Sequence, residues 1–434
     1  MASKKIILLG LNELNFDYIK HYVKQGLLPN FKHVFESYQC VETTSESEYK
    51  LLEPWIQWCT IHTGKTYAEH KVFRLGDIVN RKDLKQIFET AEEHGLTVGA
   101  ISPFNADNRL KKPAFFVPDP WTQTTASGDA FVKNISEAAA QAVNDNAKGS
   151  LSKKSILSII KTYVKVVAPA KYGQYLKLAT GLKTKIGVKA VIFDKLLGDL
   201  FLHQWKKKQP DFSNLFLNTG AHFQHHYMFN SAAYDGELSN PDWYCPKTQD
   251  PLLMVLKVYD QIIGSLLKLD ARLLIATGLH QKPHKHNTFY WRLDAHTSFL
   301  NTIGIDDFKS VIPRMSRDFL IEFNNAEDAL AAQKELETYR STSDNTAIFT
   351  VDNRVESLFV ELTYPNNIEN SFGIKGSKSI SNFEDYVSFV AIKNGEHHNV
   401  GYYIDTAVPK KLKTETMPLA SVYNAILKAL HINN

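Results

Sequence analysis

Nine of the sixteen histidines in this 434-residue chain fall into three groups: His222, His225 and His226; His280, His284, His286 and His296; His397 and His398. Imidazole is the side chain most often used to hold first-row cations, so this clustering raises a metal hypothesis. His222 and His226 stand four apart, which on a helical turn projects both rings from one face at a spacing that suits a single ion. For any one histidine the competing reading is a hydrogen-bonded or surface residue. Guanidinium forks suited to phosphate, sulfate or carboxylate occur at Arg292, close to Asp294 and His296, and at Arg314 and Arg317 in the run Pro313 to Asp318. Arg292, Arg314, Arg317 and His284 are therefore the candidate substrate-binding residues. The ordinary alternative pairs Arg314 and Arg317 with Asp318 and Glu322. The chain has no P-loop, no Gly-x-Gly-x-x-Gly and no Gly-x-Ser-x-Gly elbow.

Strand-like and helix-like runs alternate along the chain, the order expected of an α/β fold with a mostly parallel sheet. Strands are expected at residues 4–10, 97–101, 214–218 and 271–277, and helices at 15–25, 82–94 and 251–269. Ligands in open α/β sheets bind beyond the carboxyl ends of strands. The first two histidine groups start just after Asn218 and Thr277, and the third follows a strand-like run ending near Lys393. Runs at 319–323, 347–351, 358–362 and 386–392, with a helix over 326–340, predict a small α+β subdomain, and a final helix is expected at 419–430. The expected organisation is a core of residues 1–129, 211–304 and 394–434, a Lys-rich helical insertion at 130–210 and an α+β cap at 305–393.

The composition, 44% hydrophobic and 22% charged, excludes disorder, collagen and coiled coil. The net charge of +4 hides an asymmetry. Residues 147–208 hold fourteen Lys and no Arg against only Asp194 and Asp199, a net +12, which leaves −8 for the rest. Ile156, Ile159, Ile160, Tyr163 and Val164 interleave with Lys153, Lys154, Lys161 and Lys165, a pattern of amphipathic helices. One reading is a solvated Lys face; the other is electrostatic docking to a polyanion or an anionic membrane surface. Nucleic acid is disfavoured by the lack of Arg and of regular aromatic interleaving. Three widely spaced cysteines give no disulfide framework and no Cys-based zinc site. No apolar run of about 18 residues occurs, and Ile6–Leu9 is too short for a signal-peptide core. A cytoplasmic protein, peripheral to the membrane if the basic helices dock, is the expectation. Oligomeric state stays open, a homo-oligomer included.

Several segments resemble the alkaline phosphatase superfamily, particularly its type I phosphodiesterase and nucleotide pyrophosphatase branch. The opening Ile6-Ile7-Leu8-Leu9-Gly10-Leu11-Asn12-Glu13, followed by Gly26-Leu27-Leu28-Pro29-Asn30-Phe31, is similar to that branch's first strand and the turn after it. Pro54 to Lys65, with His70 beyond, resembles its nucleophile helix. Ala221-His222-Phe223-Gln224-His225-His226 resembles its Asp-x-x-x-His metal motif, Thr277-Gly278-Leu279-His280 stands where it has Ser-Asp-His-Gly, and Gly395 to Gly401 resembles its late Gly-x-His motif. The five segments occur in the family's order and span nearly the whole chain.

The resemblance implies an alkaline-phosphatase-like sandwich and a divalent-metal site, yet the family's ligand set is altered. Asn12 stands at the first Asp position, Leu279 at the Asp before the second His, Ala221 or His222 at the Asp of Asp-x-x-x-His, and Pro54 at the nucleophile. Removing three negative charges weakens the hold on two adjacent dications, so a single-metal site is expected. The resemblance implies His222, His226, His280 and His397 as ligands, with Asn12 at the first family position and Glu13 beside it. Glu53 is the candidate general base or covalent carboxylate. Imidazole ligands imply one Zn²⁺, with Mn²⁺ or Fe²⁺ as alternatives. The expected function is metal-dependent hydrolysis or transfer at a phosphate or sulfate ester carried on a glycan, nucleotide or lipid. The alternative is a catalytically degenerate protein of the same fold that binds an anionic ligand or acts as a scaffold.

Overall fold

Residues 6–9 are an unbroken apolar run and 98–101 are all small or aliphatic, the signature of strands covered on both faces. In the computed structural model, which describes residues 4–144, 152–314, 317–413 and 415–433, both are central strands. The eight-stranded sheet has the order Glu415–Pro418, Tyr38–Thr44, Val400–Pro409, Ala271–Ala276, Lys5–Leu11, Phe212–Leu217, Val98–Ile101 and Phe115–Val117. Every neighbouring pair is parallel except those made by Val400–Pro409, which runs against both of its neighbours. The α/β fold with a mostly parallel central sheet is thus the one expected.

Alternate residues of each strand feed two cores, one on each face of the sheet. Ile7, Leu9, Leu11, Leu215, Leu217 and Ile275 join one cluster, while Ile6, Leu8, Phe212, Phe216, Leu274 and Ala276 join the other. Gly10 lies on the second face, where a β-carbon would come within 2.7 Å of Phe216 and Trp58. Its lack of a side chain lets the helix Pro54–Thr63, which carries Trp58, approach the first strand closely.

Two compact units divide the chain: residues 1–236, 241–283 and 395–434 form one, and residues 237–240 and 284–394 the other. The first contains the eight-stranded sheet and the helices Ala130–Asn144, Lys153–Val166, Tyr172–Ala179 and Val188–Lys208, which carry the Lys-rich segment. Residues 147–151 of that segment, and Met315 and Ser316 between Arg314 and Arg317, lie outside the described residues. The second unit is α+β. An antiparallel sheet, Phe349–Asn353, Ser357–Leu362, Asp318–Glu322 and Ser310–Pro313, packs with the helix Ala326–Thr338 around Phe319, Ile321, Leu336, Leu358 and Val360.

One local expectation is corrected and one element is added. The helix expected at 82–94 starts only at Ile87, because Gln86 and Glu89 form a capping box there. The histidine-bearing stretch after Thr277, to which the sequence pattern assigns no element, forms a strand, His280–Leu293, paired with Val387–His398. Cys40, Cys59 and Cys245 are all free thiols. No described helix is long and apolar enough to cross a membrane.

His62, in the helix beneath the sheet, is buried with its ring 5.9 Å from that of Trp58 and 5.1 Å from that of Phe88. Neither ring nitrogen has a hydrogen-bond partner among the described residues. Burial alone pushes its pKa from 6.5 down to about 3. The unfolded chain therefore takes up a proton near pH 6.5 that the folded chain refuses until about pH 3. His62 should cost stability progressively as pH falls through that window, by up to about 1.4 kcal/mol per pH unit. Urea unfolding across the window should show a shallower acid loss in His62→Leu than in the wild type; equal slopes would assign the loss to other groups.

Candidate functional site

The register of the central strands builds one edge from three chain segments. Leu11 pairs with Leu217 and Gly10 with Ala276, so Asn12-Glu13, Asn218-Thr219 and Thr277-Gly278 all leave the sheet at the same carboxyl edge. The reversed strand Val400–Pro409 puts Tyr403 opposite Ala276, which brings its beginning, and His397 and His398 just before it, to that edge too. The helix Thr219–Tyr227 starts directly from Asn218 and carries Gln224 and His225 over it.

Glu13 is the centre of this edge. Its backbone is left-handed, with φ 57°, a conformation that costs a non-glycine residue about 1–2 kcal/mol. Three hydrogen bonds hold it there: its N–H donates to Thr277 O (3.0 Å), and its carbonyl accepts from Gln281 N (3.1 Å) and from Gln224 Nε2 (2.7 Å). The fixed backbone aims the carboxylate inward, where Glu13 is 2% exposed. Oε2 lies 3.0 Å from His225 Nε2 and 3.0 Å from His397 Nε2, and accepts from Gln281 Nε2 at 2.5 Å. Oε1 accepts from Asn12 Nδ2 at 2.9 Å. Burial drives the carboxyl pKa upward, but the charges and hydrogen bonds of His397 and His225 outweigh it and hold the group far below the usual carboxylate range.

The surrounding amides fix the geometry. Asn12 Nδ2 also donates to Asn218 Oδ1 (2.8 Å), and Asn12 Oδ1 accepts from Trp58 Nε1 (2.8 Å). Gln281 Nε2 further donates to Ala221 O (3.0 Å), and Gln224 Oε1 accepts from Asn15 N (2.9 Å). Gly395 allows the late strand to close over both glutamines: a β-carbon there would lie 2.1 Å from Gln281 Oε1 and 2.7 Å from Gln224 O.

Glu13 and His397, both expected ligands, are therefore brought together, and His225 joins them. The three donor atoms lie within 4.8 Å of one another, with the two Nε2 atoms 3.3 Å apart. A tetrahedral ion with bonds of about 2.0–2.2 Å spaces its ligand atoms about 3.3–3.5 Å apart. The separations here, 3.0, 3.0 and 3.3 Å, suit such an ion with little adjustment. A two-imidazole, one-carboxylate set is chemically a site for zinc or another first-row dication. Gln281 and Asn12 supply the outer hydrogen bonds that orient the carboxylate.

The other expected residues lie differently. His222 and His226 do share a helix face, with rings 4.7 Å apart, but it is His225 that reaches Glu13. Asn12 has its oxygen and its amide engaged by Trp58, Glu13 and Asn218, so it positions Glu13 rather than offering a free ligand atom. His280 stacks on Tyr402 (5.4 Å) and His398 (4.8 Å), and its Nδ1 has no hydrogen-bond partner among the described residues. Burial, with the His398 charge adding to it, lowers its pKa to about 4. Glu53 directly precedes the helix Pro54–Thr63, makes no side-chain capping bond to it and is about one-third exposed; its Oε2 stands 3.9 Å from His397 Nδ1, on the opposite side of that ring from Glu13.

The candidate substrate binders belong to the second unit. Arg317 sits 3.5 Å from Glu361 and 4.6 Å over the Tyr290 ring, and Arg292 Nε lies 3.7 Å from Asp294. The backbone of Arg314 donates to Asp318 O, and His284 Nε2 bonds Thr288 Oγ1 at 3.2 Å. Arg317 and Arg292 are thus each beside a carboxylate, Glu361 for Arg317 and the sequence neighbour Asp294 for Arg292. On an extended strand, four residues span about 13 Å, so His280 and His284, close in sequence, are well separated in space. Gln224 and Gln281 were not read as site residues; their only signal is their placement among the histidines.

Replacing Asn12 by Leu leaves the Trp58 indole N–H and one Glu13 oxygen without their shared partner. It should cost about 1–3 kcal/mol in urea unfolding; a loss below about 0.5 kcal/mol would show that the bridge contributes little.

No protein-family model matches the chain, and no curated protein does. Among solved structures, phosphonoacetate hydrolase from Sinorhizobium meliloti 1021, in complex with phosphonoformate, is similar at 11% identity over 98% of this chain and 96% of that one, with a TM-score of 0.44. Murine ectonucleotide pyrophosphatase/phosphodiesterase 5 is similar at 12% identity over 99% of this chain and 96% of that one, with a TM-score of 0.46. The human form of that protein gives 11%, 99%, 96% and 0.44.

Proposed function

We propose that the chain is a metal-dependent hydrolase of phosphate or sulfate esters, with Glu13, His225 and His397 as the ligands of one first-row dication, zinc foremost. What supports this is the convergence of one buried, ionised carboxylate oxygen and two imidazole nitrogens, within 4.8 Å of one another, at the carboxyl edge of the sheet. When bound, a dication there supplies electrophilic polarisation of the ester oxygen and acidifies a neighbouring water.

The chain's own residues do the rest. Gln281 and Asn12 keep the Glu13 carboxylate aimed at the two imidazoles. Glu13 keeps both Nε2 atoms turned inward, which leaves His397 Nδ1 facing Glu53. Glu53 is the one of the two carboxylates that meets solvent, so it is the group able to take a proton from an attacking water and return it to the leaving oxygen. Pro54, at the family's nucleophile position, carries no hydroxyl. Direct attack by water therefore fits this chain better than a covalent Thr or Ser intermediate.

Protein purified without chelator should contain about one zinc, manganese or iron per chain by elemental analysis, and His225→Ala and His397→Ala should lose it. Bis-p-nitrophenyl phosphate and p-nitrophenyl sulfate are the first substrates to offer. Glu53→Gln should keep the metal while kcat falls about 10²- to 10⁴-fold. No metal in the wild type, and none taken up when zinc, manganese or iron is added, would overturn the proposal.

A further inference from the structure

The helix Lys153–Val166 packs Ile159, Tyr163 and Val166 inward and still leaves a second set of aliphatic residues facing out. Ser155 and Thr162 are buried, at 5% and 1% exposure, while Ile156, Leu157, Ile160 and Val164 are 44–65% exposed. The inward hydroxyls are satisfied: Thr162 Oγ1 donates to Ser158 O, and Ser155 Oγ donates to Gln141 Oε1 of the helix Ala130–Asn144. With a turn of 3.6 residues, the four outward aliphatic residues occupy an arc of about 100°, and Lys154, Lys161 and Lys165 form a row directly beside it. The next helix, Tyr172–Ala179, continues the surface with Leu176 at 68% and Tyr172 at 39% exposure, and Leu182 follows at 44%. Between the helices lies an apolar groove lined by Tyr163, Tyr172, Leu176, Ala179 and Ile192.

The charge on this surface has one sign. Lys154, Lys161, Lys165, Lys177, Lys183, Lys185 and Lys189 are exposed. The segment's two acids are buried and engaged elsewhere, Asp199 by Lys171 and Tyr175, and Asp194 by Tyr259 and Thr219. Glu137 pairs with Lys154 at 3.2 Å; Lys161, Lys177, Lys183 and Lys185 have no ion pair among the described residues. Isolated aliphatic side chains between long-stemmed lysines are the pattern of an interfacial helix, whose apolar tips enter the acyl boundary while ammonium groups stay at the headgroups. A neutral bilayer would leave this charge uncompensated. A surface of anionic phospholipid answers both the lysines and the aliphatic ridge.

We infer that the helices Lys153–Val166 and Tyr172–Ala179 are a peripheral docking surface for an anionic lipid bilayer, entered by Leu157, Ile160, Val164 and Leu176 and held by the flanking lysines.

Co-sedimentation of the full chain with phosphatidylcholine vesicles, with and without phosphatidylglycerol, tests this. Binding is expected to the mixed vesicles only, weakening as salt rises. The Lys161→Glu/Lys177→Glu/Lys183→Glu variant should lose at least about fivefold in partitioning per lysine altered. The Leu157→Ser/Val164→Ser/Leu176→Ser variant, all charges intact, should also lose tenfold or more; these side chains are exposed, so its thermal unfolding should match the wild type. Three results would overturn the inference: no binding to phosphatidylglycerol vesicles at low salt, full binding by the triple-serine variant, or self-association that this variant abolishes while vesicle binding is absent.

Discussion

One buried carboxylate organises this molecule. An ionised glutamate taken out of water costs several kcal/mol unless paired and hydrogen-bonded, and Glu13 meets that condition completely. Two imidazoles and two side-chain amides reach its oxygens. Each comes from a different segment, after the first strand, in the helix after Phe212–Leu217, at the start of His280–Leu293 and just before Val400–Pro409. These are strands that the register already aligns, so the core and the Glu13 cluster determine each other. The left-handed backbone at Glu13 is strain of the kind that persists only where surrounding contacts over-determine it.

The sheet was legible because burial on both faces writes itself as continuous apolar runs, and Ile6–Leu9, Leu215–Leu217 and Leu273–Ala276 are such runs. The carboxyl edge followed from the same reading, since histidines after a strand end can only gather there. Boundaries were less legible where a local cap decided them: nothing in the apolar period of residues 82–94 announces that Gln86 and Glu89 start the helix late. The strand His280–Leu293 was missed because its polar, histidine-rich sequence has no strand period; its partner strand supplies the hydrogen bonds that make it extended.

Within the site, the choice among His222, His225 and His226 rests on helix phase, which the chain fixes through contacts far away in sequence. Gln224 anchors that phase by bridging Glu13 O and Asn15 N. With Gln224 turned to the sheet edge, its neighbour His225 follows, and the pair His222 and His226 takes another face. The spacing of four that made those two prominent is real but local. A ligand set depends instead on which residue of each segment shares the edge with Glu13, and that is tertiary information.

The altered charges at this edge form a consistent pattern. Around one carboxylate the chain places the neutral amides Asn12, Gln224 and Gln281, and each donates a hydrogen bond that an additional carboxylate could not; Asn218 accepts from Asn12. Several acids packed here would repel Glu13 and push its pKa up; instead His397 and His225 hold it ionised, while Asn12 and Gln281 donate to its oxygens. The result is a buried cluster in which Glu13, stiffly oriented, faces two imidazoles, with Glu53 outside it across the His397 ring. On the proposed reading, one carboxylate and two imidazoles suit one dication rather than two, because a second ion would meet the charge of the first with no further buried carboxylate to offset it.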